Sequence, residues 1–454
     1  MGGLPTTFWW LWTSTLVNRL GGFVVTFLAL YLTVDRGFSP AFAGLVASLY
    51  GLGGSVASVA GGVLADRIGR RPTLLAAQSA TAAATLVLGL VHPAWAIAAT
   101  AAVLGFTSNA SRPAVSAIMA DLVPASDRVR AFSLNYWAIN IGFAFSAAAA
   151  GLIAAHGFLL LFIGDSATTL LCALVVFARV PETRPQAAAT TAGPGSGPGG
   201  SATAAAAPPR IGLTAVLRDP AFMALVGLTF LLACVSNQGS VALPIVMGRA
   251  GYSPTDYGLV VSLNGLLIVL LQIPITRIVA GRNRALMLAI AALCTGFGFG
   301  LTAFASTAWF YALTVTVWTA GEMLSVPANM ALVAELSPTH ARGRYQGVYS
   351  LAWSGASFLA PMTAGFLLAA SGGDAVWLCC TVLGAVAAIG YVWLLRERPA
   401  AARPRELAAE TEVRAGAAAG AAAGAAAGVR AEVRAEVGAQ VGPENACAAS
   451  ASAS

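Results

Sequence analysis

The sequence contains no lysine, and only 9% of its 454 residues are charged. Because soluble domains carry roughly 25% charged residues, this composition excludes a soluble globular protein. Histidine and cysteine are scarce, at three and six residues, and neither type shows the spacing of a zinc site or a disulfide framework. No nucleophile elbow, His/Glu metal pair or aspartate-rich phosphate motif occurs. We therefore expect no enzymatic activity, no metal and no cofactor.

Long apolar runs dominate the chain instead. Hydrophobic residues make up 58% of the sequence and recur in twelve runs, each long enough to cross roughly 30 Å of hydrocarbon. The runs cover residues 8–34, 40–64, 73–91, 95–120, 131–155, 158–178, 221–247, 255–279, 285–305, 308–333, 345–370 and 374–395. They predict an all-α integral membrane protein with twelve transmembrane helices, numbered here span 1 to span 12.

A short break between spans 2 and 3 orients the chain. It runs from Gly61 to Leu75 (GGVLADRIGRRPTLL) and carries one acid and three arginines. Cations beside a span favour the cytoplasmic side of the membrane, so this loop and, by alternation, both termini are predicted to be cytoplasmic. Further arginine clusters, at 128/130, 179/184, 282/284, 342/344 and 396/398, agree with that topology. Arginines at the cytoplasmic ends of the spans thus account for the net charge of +7, and we expect no nucleic-acid partner.

The two halves of the chain repeat at an offset of 214 residues. Asp121, Pro124, Arg128, Arg130 and Gly151 match Glu335, Pro338, Arg342, Arg344 and Gly365. Ten further identities link residues 37–52 to residues 251–266 without a gap. A parallel repeat of six-helix halves predicts two pseudo-symmetric bundles with a substrate site between them near the bilayer midplane.

Composition divides the chain into four parts. Residues 1–180 and 221–396 form the predicted N-terminal and C-terminal six-helix bundles. Residues 181–220 are rich in Ala, Gly, Pro, Ser and Thr and predict a flexible cytoplasmic linker, since they cannot bury a core. Residues 397–454 resemble the linker in composition and predict a disordered Ala/Gly-rich cytoplasmic tail.

The order Gly62-x-x-x-Asp66-Arg67-x-Gly69-Arg70-Arg71 resembles the loop signature of the major facilitator superfamily. The resemblance implies a transporter that works by alternating access. It also implies a gating role for the motif: Asp66 latches the first half to the start of span 11 when the outer face is open. Gating residues are then Gly62, Asp66, Arg67, Gly69, Arg70, Arg71 and Arg130. Asp66→Asn is expected to lower turnover with little change in membrane abundance.

Four charged side chains lie inside predicted spans, away from the span ends: Arg19, Arg112, Asp165 and Glu322. An intramembrane charge costs roughly 2.5–3.5 kcal/mol on insertion scales, so each is a candidate functional group. Asp165 is expected to serve mainly in interhelix pairing, whereas Arg19 and Arg112 suit either a cavity or such pairing. Glu322 is the candidate for proton coupling or cation recognition, since a low-dielectric cavity favours its protonated form.

Ten polar or aromatic residues on the predicted cavity helices are candidates for substrate contact, although amides also serve as interhelix contacts and tryptophans as packing or interface residues. They are Asn18, Trp137, Asn140, Asn237, Gln238, Asn264, Gln272, Trp318, Asn329 and Trp353.

Further residues resemble the twelve-helix drug–proton antiporter branch: Asn18 to Gly21, Arg112-Pro113 and Asn140 to Gly142. This likeness implies proton-driven efflux of amphipathic compounds across a bacterial cytoplasmic membrane. We expect a monomer whose partners are membrane lipids, the substrate and protons. One departure is that 146–151 lacks the Gly-Pro-x-x-Gly-Gly typical of exporters. Proton-linked uptake of a sugar, amino acid or organic anion is the alternative, and a non-transporting receptor or assembly protein is a second one.

Overall fold

The computed structural model describes residues 4–124, 126–183, 213–279, 282–338 and 341–396. Within these ranges all regular secondary structure is helical. The predicted tail lies outside the described residues, as does most of the predicted linker. The last part of that linker contains a short helix, Leu213–Leu217.

Twelve long helical segments occupy the described ranges at the predicted positions. Span 1 consists of Thr6–Leu20, Val24–Leu30 and the π-helical turn Tyr31–Asp35. Spans 2 to 6 are Pro40–Arg67, Arg70–Leu90, Ala94–Leu122, Arg128–Ala154 and Leu159–Arg179. Span 7 consists of Pro220–Ser236, the 3₁₀ turn Asn237–Gly239 and Ala242–Arg249, and span 9 consists of Arg284–Gly300 and the 3₁₀ turn Leu301–Phe304. Spans 8, 10, 11 and 12 are Pro254–Val279, Ala308–Leu336, Arg342–Ala370 and Gly373–Arg396. Predicted and observed limits agree to within a few residues.

By length and composition, ten of the described segments are apolar enough to cross a membrane. The two remaining segments are spans 4 and 10, each 29 residues long. They are less apolar because they carry Arg112 and Glu322 together with several amide and hydroxyl side chains. The twelve-helix prediction is therefore confirmed, and spans 4 and 10 each carry one of the four intramembrane charges.

Local signals explain where several spans begin. The Ser39 hydroxyl accepts a hydrogen bond from the Phe42 N–H, and the Asp219 carboxylate accepts one from the Phe222 N–H. Each of these caps precedes a proline, which lacks an N–H and fits the first helical position. The turns before spans 2 and 8 use Gly37 and Gly251, whose φ values of 68° and 84° favour glycine. These two glycines are partners in the 214-residue repeat.

The buried cores show how the two halves meet. We call the end of the bundle that carries residues 66–71 the signature face, and the other end the opposite face. Near the signature face each half has its own core, one built around Phe8 and Ile118 and the other around Leu288. Near the opposite face a single core joins the halves, with Phe27 and Tyr257 in contact at 5.1 Å between ring centroids. The halves are thus packed together at the opposite face.

Candidate functional site

A cavity of about 550 Å³ lies between the two halves. Side chains from both halves line it, and they include all four intramembrane charges named above. The polar lining residues are Asn18, Arg19, Thr26, Tyr50, Thr81, Thr85, Ser108, Arg112, Tyr136, Asn140, Asp165, Thr169, Thr229, Ser236, Asn264, Gln272, Thr295, Glu322, Ser325, Asn329 and Trp353. The cavity therefore combines hydrogen-bonding groups with charges of both signs.

Two close helix contacts shut the opposite face. Span 2 meets span 11 where a Cβ built on Gly44 would lie 2.9 Å from the Cα of Gly365. Span 8 meets span 5 where a Cβ built on Gly258 would lie 2.9 Å from the Cα of Gly151. Only glycine allows backbones to approach this closely. We call these two contacts the glycine seams; each is the image of the other under the 214-residue repeat.

The signature face is open between the halves. A Cβ added at Gly62 on span 2, or at Gly347 on span 11, would meet no atom within 4 Å. Asp66 is exposed and makes no hydrogen bond or ion pair within the part of the chain that the structure describes. Its expected contact with span 11 belongs to the state in which the outer face is open, so the gating role of Asp66 stays a prediction.

The arginines of the signature are held by the first half itself. Arg70 forms an ion pair with Asp121 at the end of span 4, and its Nη1 donates to the Ala117 carbonyl at 3.4 Å. The guanidinium of Arg71 donates to the Phe177 carbonyl on span 6 and lies 5.2 Å from the centroid of the Phe177 ring. Arg67 and Arg130 are exposed at the same face.

Glu182, which sequence reasoning missed, completes this network. Gly69 has φ 114° and no side chain to cap span 3. The Glu182 carboxylate accepts hydrogen bonds from the N–H groups of Arg70 and Arg71, both at 3.1 Å. Pro72 has no N–H, and the Thr73 N–H already bonds to the Gly69 carbonyl at 3.3 Å. Every donor in the first turn of span 3 is therefore satisfied.

Glu322 faces the cavity from span 10. Nδ2 of Asn264 donates to its carboxylate at 3.0 Å, and Ser236 lies on the same side of the cavity. The carboxylate has no cation within ion-pair distance in the described residues. An acidic group that is hydrogen-bonded but not neutralised by a cation can gain or lose a proton without breaking an ion pair.

Asp165 has a different environment on span 6. Span 1 is interrupted at residues 21–23, and the interruption leaves backbone N–H groups without helical partners. Oδ2 of Asp165 accepts the N–H of Val24 at 3.1 Å, and Oδ1 lies 3.5 Å from the Thr169 hydroxyl. The carboxylate therefore caps the second segment of span 1. No cation lies within ion-pair distance of Asp165 among the described residues, so its contacts are with a backbone N–H and a hydroxyl, and the expected interhelix pairing stays a prediction.

Arg19 and Arg112 line the cavity without forming an ion pair among the described residues. Among the described residues, neither guanidinium has a hydrogen bond or an ion pair. The two side chains are close enough to repel each other electrostatically. The interhelix pairing considered for them from the sequence is absent from this part of the chain.

The ten candidate polar and aromatic residues divide into two groups. Six line the cavity: Asn18, Asn140, Asn264, Gln272, Asn329 and Trp353. Asn237 lines a neighbouring cavity of about 260 Å³. Gln238 is buried and donates to the Cys234 carbonyl, and Trp318 stacks on Phe299 with ring centroids 5.0 Å apart. Neither of them lines the central cavity, and nor does Trp137.

Sequence reasoning also missed several cavity residues, and the internal repeat was the signal that could have found two of them. Tyr50 is the repeat partner of Asn264, and Ser108 is the repeat partner of Glu322. All four residues of these two repeat pairs line the cavity. Tyr136 and Ser236 carry no comparable signal.

Comparison with known proteins agrees with this architecture. The family description Major Facilitator Superfamily matches residues 11–361 and 240–434. The chain belongs to the major facilitator superfamily. It is accordingly a multi-pass membrane transporter and not an enzyme.

Curated relatives are distant but cover most of the chain. A Na(+), Li(+), K(+)/H(+) antiporter of Planococcus maritimus is 26% identical over 384 residues, covering 78% of this chain and 89% of the relative. The multidrug resistance protein MdtH of Escherichia coli O1:K1 / APEC is 23% identical over 401 residues, covering 85% and 93%. Among solved structures, the nucleoside transporter NupG superposes with a TM-score of 0.70 at 15% identity, covering 86% of this chain and 99% of that one. At that identity the likeness concerns the fold alone.

Proposed function

We propose that this transporter exports small amphipathic compounds in exchange for protons, in the cytoplasmic membrane of a bacterium. The observation that carries the proposal is Glu322, a cavity carboxylate with hydrogen-bond donors around it and no cation paired with it in the described residues. A proton and a substrate can compete for such a site, and this competition is the basis of exchange. The antiporter and multidrug names of two relatives support the same direction.

The conformation suits an exporter that loads from the cytoplasm. The glycine seams close the opposite face, and the halves separate at the signature face. If the signature face is cytoplasmic, as the arginine distribution predicts, the cavity is accessible to compounds inside the cell. Closure of the signature face would then require contacts that are absent here, such as the expected one between Asp66 and span 11.

Inside-out vesicles with an acidic interior provide the test. Candidate dyes and antibiotics are added, and both their accumulation and the dissipation of the pH gradient are followed. We expect substrate-dependent proton efflux together with substrate accumulation in the wild type. Glu322→Gln should abolish both, because the amide cannot carry a proton across.

Asp374→Asn is the matched control, since Asp374 is exposed in the first turn of span 12 and lies outside the cavity. This control should transport like the wild type. Gradient-driven accumulation by Glu322→Gln at the wild-type rate would contradict the proposed coupling role.

Proton-linked uptake of a polar metabolite is the second candidate, and the cavity lining favours it specifically. Two arginines and at least five amide side chains face the cavity, a lining that also suits a hydrophilic substrate. Right-side-out vesicles separate the two functions. Accumulation of a sugar, amino acid or organic anion there, with no response to amphipathic compounds in inside-out vesicles, would establish uptake.

A further inference from the structure

A second chamber lies beside the central cavity, within the N-terminal half. It has a volume of about 280 Å³ and lies between spans 1, 3, 4 and 5. Arg19 and Arg112 line both spaces, so the chamber adjoins the central cavity. Hydroxyl and amide side chains make up most of the remaining polar lining, and no acidic residue is among them. We call this space the side chamber.

The side chamber concentrates positive charge and has no acidic residue in its lining. Neither guanidinium has a hydrogen bond or an ion pair in the described residues, and Asp165 acts on Arg19 only from beyond ion-pair distance. The nearest candidate for neutralisation is Asp165, but its carboxylate accepts the Val24 N–H and does not line the chamber. Buried charges in proteins are normally paired. An anion between the two arginines would supply the missing partner.

Two amides give independent evidence for an occupant. Gln78 is only 8% exposed, and its Oε1 is buried without a hydrogen-bond partner. Oδ1 of Asn135 is likewise buried without a partner. Both side chains line the side chamber. Buried polar atoms are rarely left unsatisfied. An amide oxygen accepts hydrogen bonds and does not bind an anion, but when each amide is turned about its terminal torsion, its NH₂ group can donate to an anion in the chamber.

We propose that the side chamber binds the anionic group of the transported molecule, a carboxylate or a phosphate, between Arg19 and Arg112. The inference rests on the proposed transport function and narrows its substrate class to anionic amphiphiles. Guanidinium groups bind both anions in a bidentate manner. The side chamber is smaller than the roughly 300–1,000 Å³ of whole-ligand pockets, so it holds the charged group while the apolar part occupies the central cavity.

Binding to the purified full-length protein in lipid nanodiscs, without any ion gradient, tests this assignment. The probes are 1-naphthoate, 1-naphthyl phosphate and the neutral analogue 1-naphthamide, titrated by calorimetry. We expect at least one anion to bind roughly tenfold or more tightly than 1-naphthamide, and the stronger of the two identifies the preferred group. Arg19→Gln and Arg112→Gln should each remove that preference. Arg277→Gln, which removes an exposed arginine at the end of span 8, should retain it.

A second variant keeps the test decisive if the arginine variants fold poorly. Gln78→Glu is nearly isosteric and places a carboxylate in the side chamber, where it can pair with the arginines. We expect it to raise the unfolding temperature and to abolish the anion preference. A lowered unfolding temperature, together with equal binding of all three probes by the wild type, would overturn the assignment.

The outcome is distinguishable from failure of the proposed function. Antiport of amphipathic compounds without anion preference would refute only the side-chamber site. Anion binding without proton-coupled export would refute only the direction or the coupling.

Discussion

Nδ2 of Asn264 on span 8 donates a hydrogen bond to the Glu322 carboxylate on span 10 at 3.0 Å. The same Nδ2 lies 3.0 Å from the hydroxyl of Thr319, which is on span 10 with Glu322. Asn264 therefore fixes the position of the carboxylate relative to span 10. Glu322 thus sits in a defined orientation toward the cavity.

Asn264→Leu is expected to slow gradient-driven transport. A hydrogen bond to a charged group contributes about 1.5–3 kcal/mol, and its loss leaves the carboxylate without that donor. The measurement is substrate-dependent proton movement in vesicles at matched expression. In the Glu322→Gln background the same substitution should cause little further loss of transport, because the effects of substituting two residues that act through one interaction do not add. Equal fractional losses in both backgrounds would show that Asn264 acts independently of Glu322.

Gly44→Ala is expected to open the opposite face. The new Cβ would collide with the Pro361 carbonyl oxygen and lie 2.9 Å from the Cα of Gly365, so spans 2 and 11 must separate. Spin labels at His92 and Ser306, exposed repeat partners in the two halves, should report a longer distance than in the wild type. Gly227→Ala is the control, since a Cβ there meets no atom within 4 Å. An unchanged distance distribution in Gly44→Ala would show that the seam does not hold this face shut.

Glu182→Ala is expected to loosen the start of span 3. Two backbone N–H groups lose their acceptor, and loss of a helix N-cap costs about 0.5–2 kcal/mol. Faster amide hydrogen exchange at Arg70 and Arg71 and a lower unfolding temperature are the readouts. Glu182→Gln keeps an acceptor oxygen and should lie between the wild type and Glu182→Ala. Unaltered exchange at both amides would contradict this capping role.

The two ion pairs of the signature face should differ in strength. Arg70–Asp121 and Arg284–Glu335 occupy equivalent repeat positions, but the side chains of the first are 15% and 28% exposed and those of the second 45% and 52%. Exposed pairs contribute about 0.2–1 kcal/mol because solvent screens them. Double-mutant cycles with Gln and Asn replacements should therefore give a larger coupling energy for the first pair. Equal coupling energies would remove this distinction between the halves.

The sequence predicted the fold well because membrane insertion leaves few alternatives. Backbone groups in hydrocarbon must bond within a helix, so each apolar run defines a span. The repeat between residues 37–52 and residues 251–266 indicated two related halves. The positions of Arg19 and Glu322 at the cavity were a reasonable inference, because intramembrane charges avoid lipid.

Side-chain partners were harder to predict, since they depend on helix rotation and on contacts distant in sequence. Glu182 lies 113 residues beyond Gly69 in the chain, and no local pattern joins them. Gln238 and Trp318 lie in packed regions, although both are polar or aromatic residues of predicted cavity helices, as Asn264 is. The hydrogen bond from Val24 to Asp165 depends on an interruption of span 1 that hydropathy does not show.

The glycine seams also describe how such a molecule could arise. In a symmetric dimer, residue i of one subunit contacts residue j of the other, and j contacts i in return. Gly44 with Gly365 and Gly258 with Gly151 have this relation, once the offset of 214 residues is removed. A single six-helix ancestor could therefore have closed one face by pairing with a second copy of itself. Gene fusion then freed each copy to diverge, which allowed Glu322 to stand in one half where Ser108 stands in the other.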